Sequence, residues 1–211
     1  MTSFGYNILG FGSFTSSGAV VGLFALGDSG GAVNSIDQIN IASTGNATDF
    51  GDIATTLRGH AGLSSSTRGV FGGGYNGSGS TNVIQYVTID STGNTTDFGD
   101  LSATRWEFSA SSSPTRGVFG GGEPLGGSRV DIIEYITTGN ATDFGDLTTV
   151  VSRMMALSNS TRAVFGGGTR WNGAANAASD IIEYVTIAST GDATDFGDLT
   201  AIAREGAACS G

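Results

Sequence analysis

Apolar and polar positions alternate along this chain in short bursts, and the bursts recur. In the run Ile181–Ile187, Ile182, Tyr184 and Thr186 alternate with Ile181, Glu183 and Val185, so both faces carry apolar residues. Related runs occupy Val83–Ile89, Ile132–Thr138 and Ile36–Ile41. Each is too short for an ordinary helix and is bounded by Gly, Asn and Ser, which reads as a strand between turns. A strand that is apolar on both faces needs cover on both sides, as when sheets stack radially.

The whole pattern is a repeat, which bears on the fold before any single residue does. The clearest copy runs from Thr161 to Leu199 as TRAVFGGG, a variable loop, then SDIIEYVTIASTGDATDFGDL. Two others open with TRGVFGGG at Thr67 and Thr115 and close at Leu101 and Leu147; a degraded copy opens near Gly22 and closes at Ile53. Each copy carries four strand signals. The first follows an arginine (Arg58, Arg105, Arg153, Arg204), and the second is VFGGG. The third is the isoleucine- and tyrosine-rich run, and the fourth is TDFGD, at Thr48–Asp52, Thr96–Asp100, Thr142–Asp146 and Thr194–Asp198. The repeats divide the chain at about 21–56, 57–103, 104–151 and 152–202. By phase, 203–211 matches the first strand that the degraded copy lacks, so it is expected to close the series against the N-terminal copy. Residues 1–20 stand outside the repeat and carry Phe4, Tyr6, Phe11 and Phe14, which marks them as an anchoring or assembly arm.

Composition sharpens this picture. The chain has 211 residues, 36 of them glycine without a three-residue period, and only two prolines, which favours strands and glycine turns over collagen. All nine cations are arginine against nineteen acids, a net charge of −10. Such a balance argues against nucleic acid as a partner and against a polybasic membrane role. No stretch approaches transmembrane length, and the N-terminus lacks the positive region of a secretory signal. Cys209 is the single cysteine and reads as a small packing residue in a terminal strand.

The ordered signals resemble the kelch-type β-propeller. Its blade has an arginine-led first strand, a second strand ending in a glycine pair, an apolar-tyrosine third strand and an aromatic in the fourth. Matching residues are the four arginines, the pairs Gly72-Gly73, Gly120-Gly121 and Gly166-Gly167, and Tyr86, Tyr135 and Tyr184. The aromatic is Phe50, Phe98, Phe144 and Phe196, where kelch repeats usually carry tryptophan. The resemblance implies an all-β, kelch-like propeller of four-stranded antiparallel blades; counting strands by phase gives four blades closed by N- and C-terminal strands, with an open or oligomeric arrangement as the alternative. The TDFGDL wording is also similar to repeat proteins of marine phage virions, which implies a virion location.

Candidate chemistry is sparse. DFGD without a lysine strand or HRD loop is no kinase site, and VFGGG without GK[ST] is no phosphate cradle. The glycines are expected to allow close strand approach and positive φ. The pairs Asp49/Asp52, Asp97/Asp100, Asp143/Asp146 and Asp195/Asp198 offer oxygen ligands of the kind calcium takes. Their recurrence in every copy favours scaffold instead, the first aspartate capping a turn and the second pairing with a repeat arginine. No metal, cofactor or catalytic residue is therefore assigned. His60 is the only histidine, and Asn46, Asn94, Asn140 and Asn159, although in N-x-[ST] sequons, read as turn residues. Function is expected in the loops between second and third strands, which vary while all around them repeats. They hold Tyr75, Pro124, Arg129, Arg170 and Trp171, residue types that anchor interfaces. The leading expectation is a non-enzymatic structural protein of a phage particle, in head decoration, tail or fibre. Its partners would be other virion proteins or a second copy. The alternative is a lectin-like module gripping a surface glycan.

Overall fold

The computed structural model describes residues 21–25, 27, 33–126, 129–171 and 175–210, and they form an all-β series of antiparallel sheets. Sheet 1 joins β1 (Val21–Ala25), β2 (Val33–Asn40) and β3 (Thr48–Leu57). Sheet 2 joins β4 (Ala61–Ser64), β5 (Arg68–Gly72), β6 (Val83–Thr88) and β7 (Thr96–Asp100) in chain order. Sheet 3 repeats this with β8 (Ser109–Ser112), β9 (Gly117–Gly120), β10 (Ile132–Ile136) and β11 (Thr142–Asp146). Sheet 4 adds two short strands, β12 (Val151–Ser152) and β15 (Thr169–Trp171), to β13 (Met155–Ser158), β14 (Arg162–Gly166), β16 (Asn176–Thr186) and β17 (Thr194–Ala203). The fourth copy's loop is therefore largely strand, because β16 begins well before its apolar run.

Apolar faces on both sides of a strand are satisfied by stacking each sheet on the next. Ile36, Phe50, Ile53 and Leu57 of sheet 1 bury against Phe71 and Val87 of sheet 2. Val70, Ile84 and Leu101 of sheet 2 meet Phe108, Phe119 and Ile136 of sheet 3. Val118, Ile133, Phe144 and Leu147 of sheet 3 meet Val151, Phe165 and Val185 of sheet 4. The second-strand phenylalanine thus faces the preceding sheet, and the fourth-strand phenylalanine faces the following one.

Two glycine positions permit that stacking. Gly73, Gly121 and Gly167 have φ of 55°, 68° and 67°. A Cβ there would lie 2.6, 2.6 and 2.7 Å from the carbonyl oxygens of Arg105, Val151 and Ala203 at the exit of a fourth strand. In the DFGD turn, a Cβ on Gly99 or Gly145 would lie within 2.6 Å or 2.5 Å of the backbone of the next sheet's hairpin. Both glycines are needed for close approach and positive φ together. The hairpin is also hydrogen-bonded there: Gly93 N–H donates to Phe50 O at 2.8 Å, and Gly191 N–H donates to Phe144 O at 2.7 Å.

The first strands β4, β8 and β13 of sheets 2 to 4 lie side by side, and residues 205–210 continue the series. Ser112 Oγ donates to Ser64 O at 3.0 Å, Ser158 Oγ to Ser112 O at 2.7 Å, and Ser210 Oγ to Ser158 O at 2.5 Å. The C-terminal segment sits beside β13 as β13 sits beside β8. No strand pairing joins sheet 1 to sheet 4 among the described residues. Cys209, on this segment, is exposed instead of packed.

The arginine register also needs correction. Backbone hydrogen bonds run from Glu107 N–H to Gly59 O, Arg153 N–H to Glu107 O, and Glu205 N–H to Arg153 O. These residues are therefore the equivalent set, all at φ of 54–62°. Arg58 and Arg204 precede that position, Arg105 lies two before it, and Arg153 occupies it. The four arginines do not share one repeat position. Residues 1–20, with Phe4, Tyr6, Phe11 and Phe14 of the expected arm, lie outside the described residues.

Phe144 is only 2% exposed between sheets 3 and 4. Phe144→Ala is expected to destabilise the protein by about 3–5 kcal/mol in denaturant titration. A change below about 1 kcal/mol would contradict the packing of sheet on sheet.

Candidate functional site

The chemistry-bearing residues divide into those that tie sheets together and those on the loop rim. The tying group centres on one third-strand position, occupied by Gln85, Glu134 and Glu183. All three are buried, at 3%, 1% and 0% exposure, in otherwise apolar strands. Each accepts a backbone N–H from the preceding sheet as its fourth strand exits. Ala54 donates to Gln85 Oε1 at 2.9 Å, Ser102 to Glu134 Oε1 at 2.8 Å and Thr148 to Glu183 Oε2 at 2.8 Å. A buried carboxylate needs a counter-charge. Glu134 takes Arg105 and Glu183 takes Arg170, both in buried ion pairs. Burial pulls the Arg105 guanidinium below its ordinary pKa, while Glu134 opposes that shift by charge and hydrogen bond. The signal for this position was a single polar letter inside an isoleucine-tyrosine strand.

Four further arginines are also engaged within the fold. Arg68, Arg116 and Arg162 lie over the rings of Tyr86, Tyr135 and Tyr184, at 4.7, 4.5 and 4.3 Å. Those rings in turn meet Phe98, Phe144 and Phe196 edge-on. Arg153 bridges Glu107 and Glu205, and its hydrogen bond to Glu107 raises its pKa.

The aspartates serve differently from the expectation. Asp97 and Asp195 do cap their turns, each accepting an N–H two residues on at 3.2 Å. The second aspartates have no arginine partner among the ion pairs of the described residues, which are all Arg–Glu. Their backbone N–H groups are what matters: Asp52 donates to Asn94 Oδ1 at 3.0 Å, Asp100 to Asn140 Oδ1 at 3.0 Å, and Asp146 to Asp192 Oδ1 at 3.1 Å. Asn94 and Asn140 thereby join neighbouring sheets, while Asn159 Oδ1 caps a turn within one. Among the described residues no group of three or more His, Cys, Asp or Glu is placed to hold a metal ion. His60 lies edge-on to Phe71, and burial lowers its pKa against a backbone hydrogen bond with Ala25.

Among the described residues, contacts along the loop rim link sheet 2 to sheet 3 and sheet 3 to sheet 4. Tyr75 bridges to Arg58 and Ser80, and its ring lies 5.5 Å from that of Trp106. Leu125, beside the half-buried Pro124, donates its N–H to Ser80 Oγ at 3.0 Å. Arg129 reaches Ser152 Oγ at 2.7 Å and Glu123 at 3.4 Å. Trp171, at the end of β15, is 49% exposed and Leu125 is 51% exposed. The structure thus brings Tyr75, Pro124 and Arg129 to one rim with Trp171 on the neighbouring sheet. Arg170, expected among them as a surface anchor, points inward at 4% exposure and is occupied by Glu183. Trp106 and Leu125 join the rim without having stood out in sequence. A pocket of about 70 Å³ lies between β4, β8, β13 and the C-terminal segment, lined by small residues such as Gly62, Ala110 and Ser158. Small-molecule sites run to about 300–1,000 Å³.

Comparison with known proteins finds no matching family model and no matching curated protein.

The boundary between sheets 1 and 2 carries a neutral version of the buried pair: Gln85 of sheet 2 in place of the glutamate, and Leu57 at the end of β3 where Arg105 stands. Arg105→Leu alone is expected to cost about 3–5 kcal/mol, since Glu134 would be left buried and unpaired. Adding Glu134→Gln is expected to restore most of the loss in the same denaturation experiment. No recovery in the double variant would show that the ion pair itself, and not its neutral isostere, is required.

Proposed function

We propose that this chain is a non-enzymatic structural and interaction protein of a phage particle, in which the stacked sheets act as blades of a kelch-like propeller. The observation that carries the reading is where the ionisable groups go. Arg68, Arg105, Arg116, Arg162 and Arg170 and the buried glutamates are spent on joining strands and sheets, through the pairs Arg105–Glu134 and Arg170–Glu183 and the arginine-tyrosine stacks. A scaffold built this way presents loops rather than a reaction centre. The exposed side chains of Trp171 and Leu125 on its rim are of the kind that anchors protein partners. The virion location rests on the wording of the repeat alone.

Mass spectrometry of a purified particle is expected to detect the chain at a fixed stoichiometry with the other structural proteins. Its absence from the particle, with binding on a glycan array lost in Trp171→Ala, would replace this reading with the lectin-like one.

A further inference from the structure

The interface between sheets is made three times inside the chain, and each end sheet carries one unmatched half of it. At the sheet 1 end, Phe24 is equivalent to Phe71, Phe119 and Phe165. Those three are 7%, 0% and 0% exposed against a preceding sheet, whereas Phe24 is 51% exposed. Ile41 is 59% exposed where its equivalents Ile89 and Ile187 are 4% and 1%.

At the sheet 4 end, Phe196 is 55% exposed, against 2% for its equivalents Phe50 and Phe144. Gly197 keeps the unusual backbone of the DFGD glycine, at φ +134°, yet a Cβ there meets nothing within 4 Å. At Gly99 and Gly145 the same position is filled by the next sheet's hairpin. Gly45-Asn46 is that hairpin in the first copy.

We propose that a second copy of this chain docks head to tail on this face, sheet 1 of one protomer against sheet 4 of the other. The occupant follows from the repeat: the chain itself shows which surface covers such a face. In the interface so formed, Asn46 Oδ1 accepts the N–H of Asp198, as Asn94 accepts from Asp52 and Asn140 from Asp100. Asp37 accepts the N–H of Thr200, as Gln85, Glu134 and Glu183 accept theirs. Phe24 and Phe196 leave water together. A contact of this heterologous kind yields a closed ring when the rotation between copies permits, and a filament when it does not. The inference deepens the structural reading above and rests on it for its biological use. A particle lacking this chain would end the virion reading and leave the self-interface to its own test.

That test is light scattering after size exclusion of the full chain, with circular dichroism to confirm folding. About 0.15 M salt would screen the net charge of −10. Wild type is expected at a multiple of 21.2 kDa, and Phe24→Glu and Phe196→Glu each at 21.2 kDa with unchanged β signal. An equimolar mixture of the two variants is expected to pair, since one keeps an intact tail and the other an intact head. The pair should grow no further. A monomeric wild type would overturn the proposal in favour of ends that meet within one chain or not at all. Variants that stay oligomeric, or that fail to pair when mixed, would place any self-contact elsewhere.

Discussion

Backbone meets backbone at every sheet boundary, and the rest of the structure follows from that approach. The fourth strand of one sheet and the hairpin of the next come so close at Gly99 that no side chain fits between them. Such proximity lets the hairpin's N–H groups and its asparagine bond to the fourth strand directly, as Ala141 N–H does to Asp100 O at 2.8 Å. Polar backbone that would otherwise face the interface is thereby satisfied. The apolar side chains on either side then close over this hydrogen-bonded seam.

The buried glutamate position belongs to the same seam. A hydrogen-bond acceptor is needed where the chain leaves a fourth strand, and a side chain from the following sheet supplies it. Glutamine meets the need without charge at Gln85. Glutamate meets it at the cost of a recruited arginine, which comes from the connection between sheets for Glu134 and from a loop strand for Glu183. Different sources for one counter-charge explain why arginines that looked periodic serve unlike roles. The constraint is the acceptor, and the arginine is its consequence.

Much of this was legible in the sequence. Strands two to four showed through their β-branched runs and glycines, and the phenylalanines of DFGD marked the inter-sheet core. The first strands did not show well: SASS and AGLS carry little hydrophobic signal, and a misread arginine register blurred their starts. Arg170 looked like a loop anchor because its partner, Glu183, lies on another strand thirteen positions away, and only strand pairing brings them together. Phe144 and Phe196 stand in the same words, yet one is buried and the other exposed. A repeat writes its interface into every copy, so the letters alone do not reveal where the series stops.

Gly99 and Gly197 separate the seam from backbone strain, because they share a left-handed-side φ, +143° and +134°, and differ in what lies beside them. The direct measurement is equilibrium denaturation of Gly99→Ala and Gly197→Ala, both in the Phe24→Glu background to keep the protein monomeric. Both substitutions strain the backbone alike, but only the first drives a methyl group into the neighbouring hairpin. The expected result is a larger loss at Gly99, by about 1–3 kcal/mol, within the usual span of damaging point mutations. Equal losses at the two glycines would contradict the close seating of one sheet on the next.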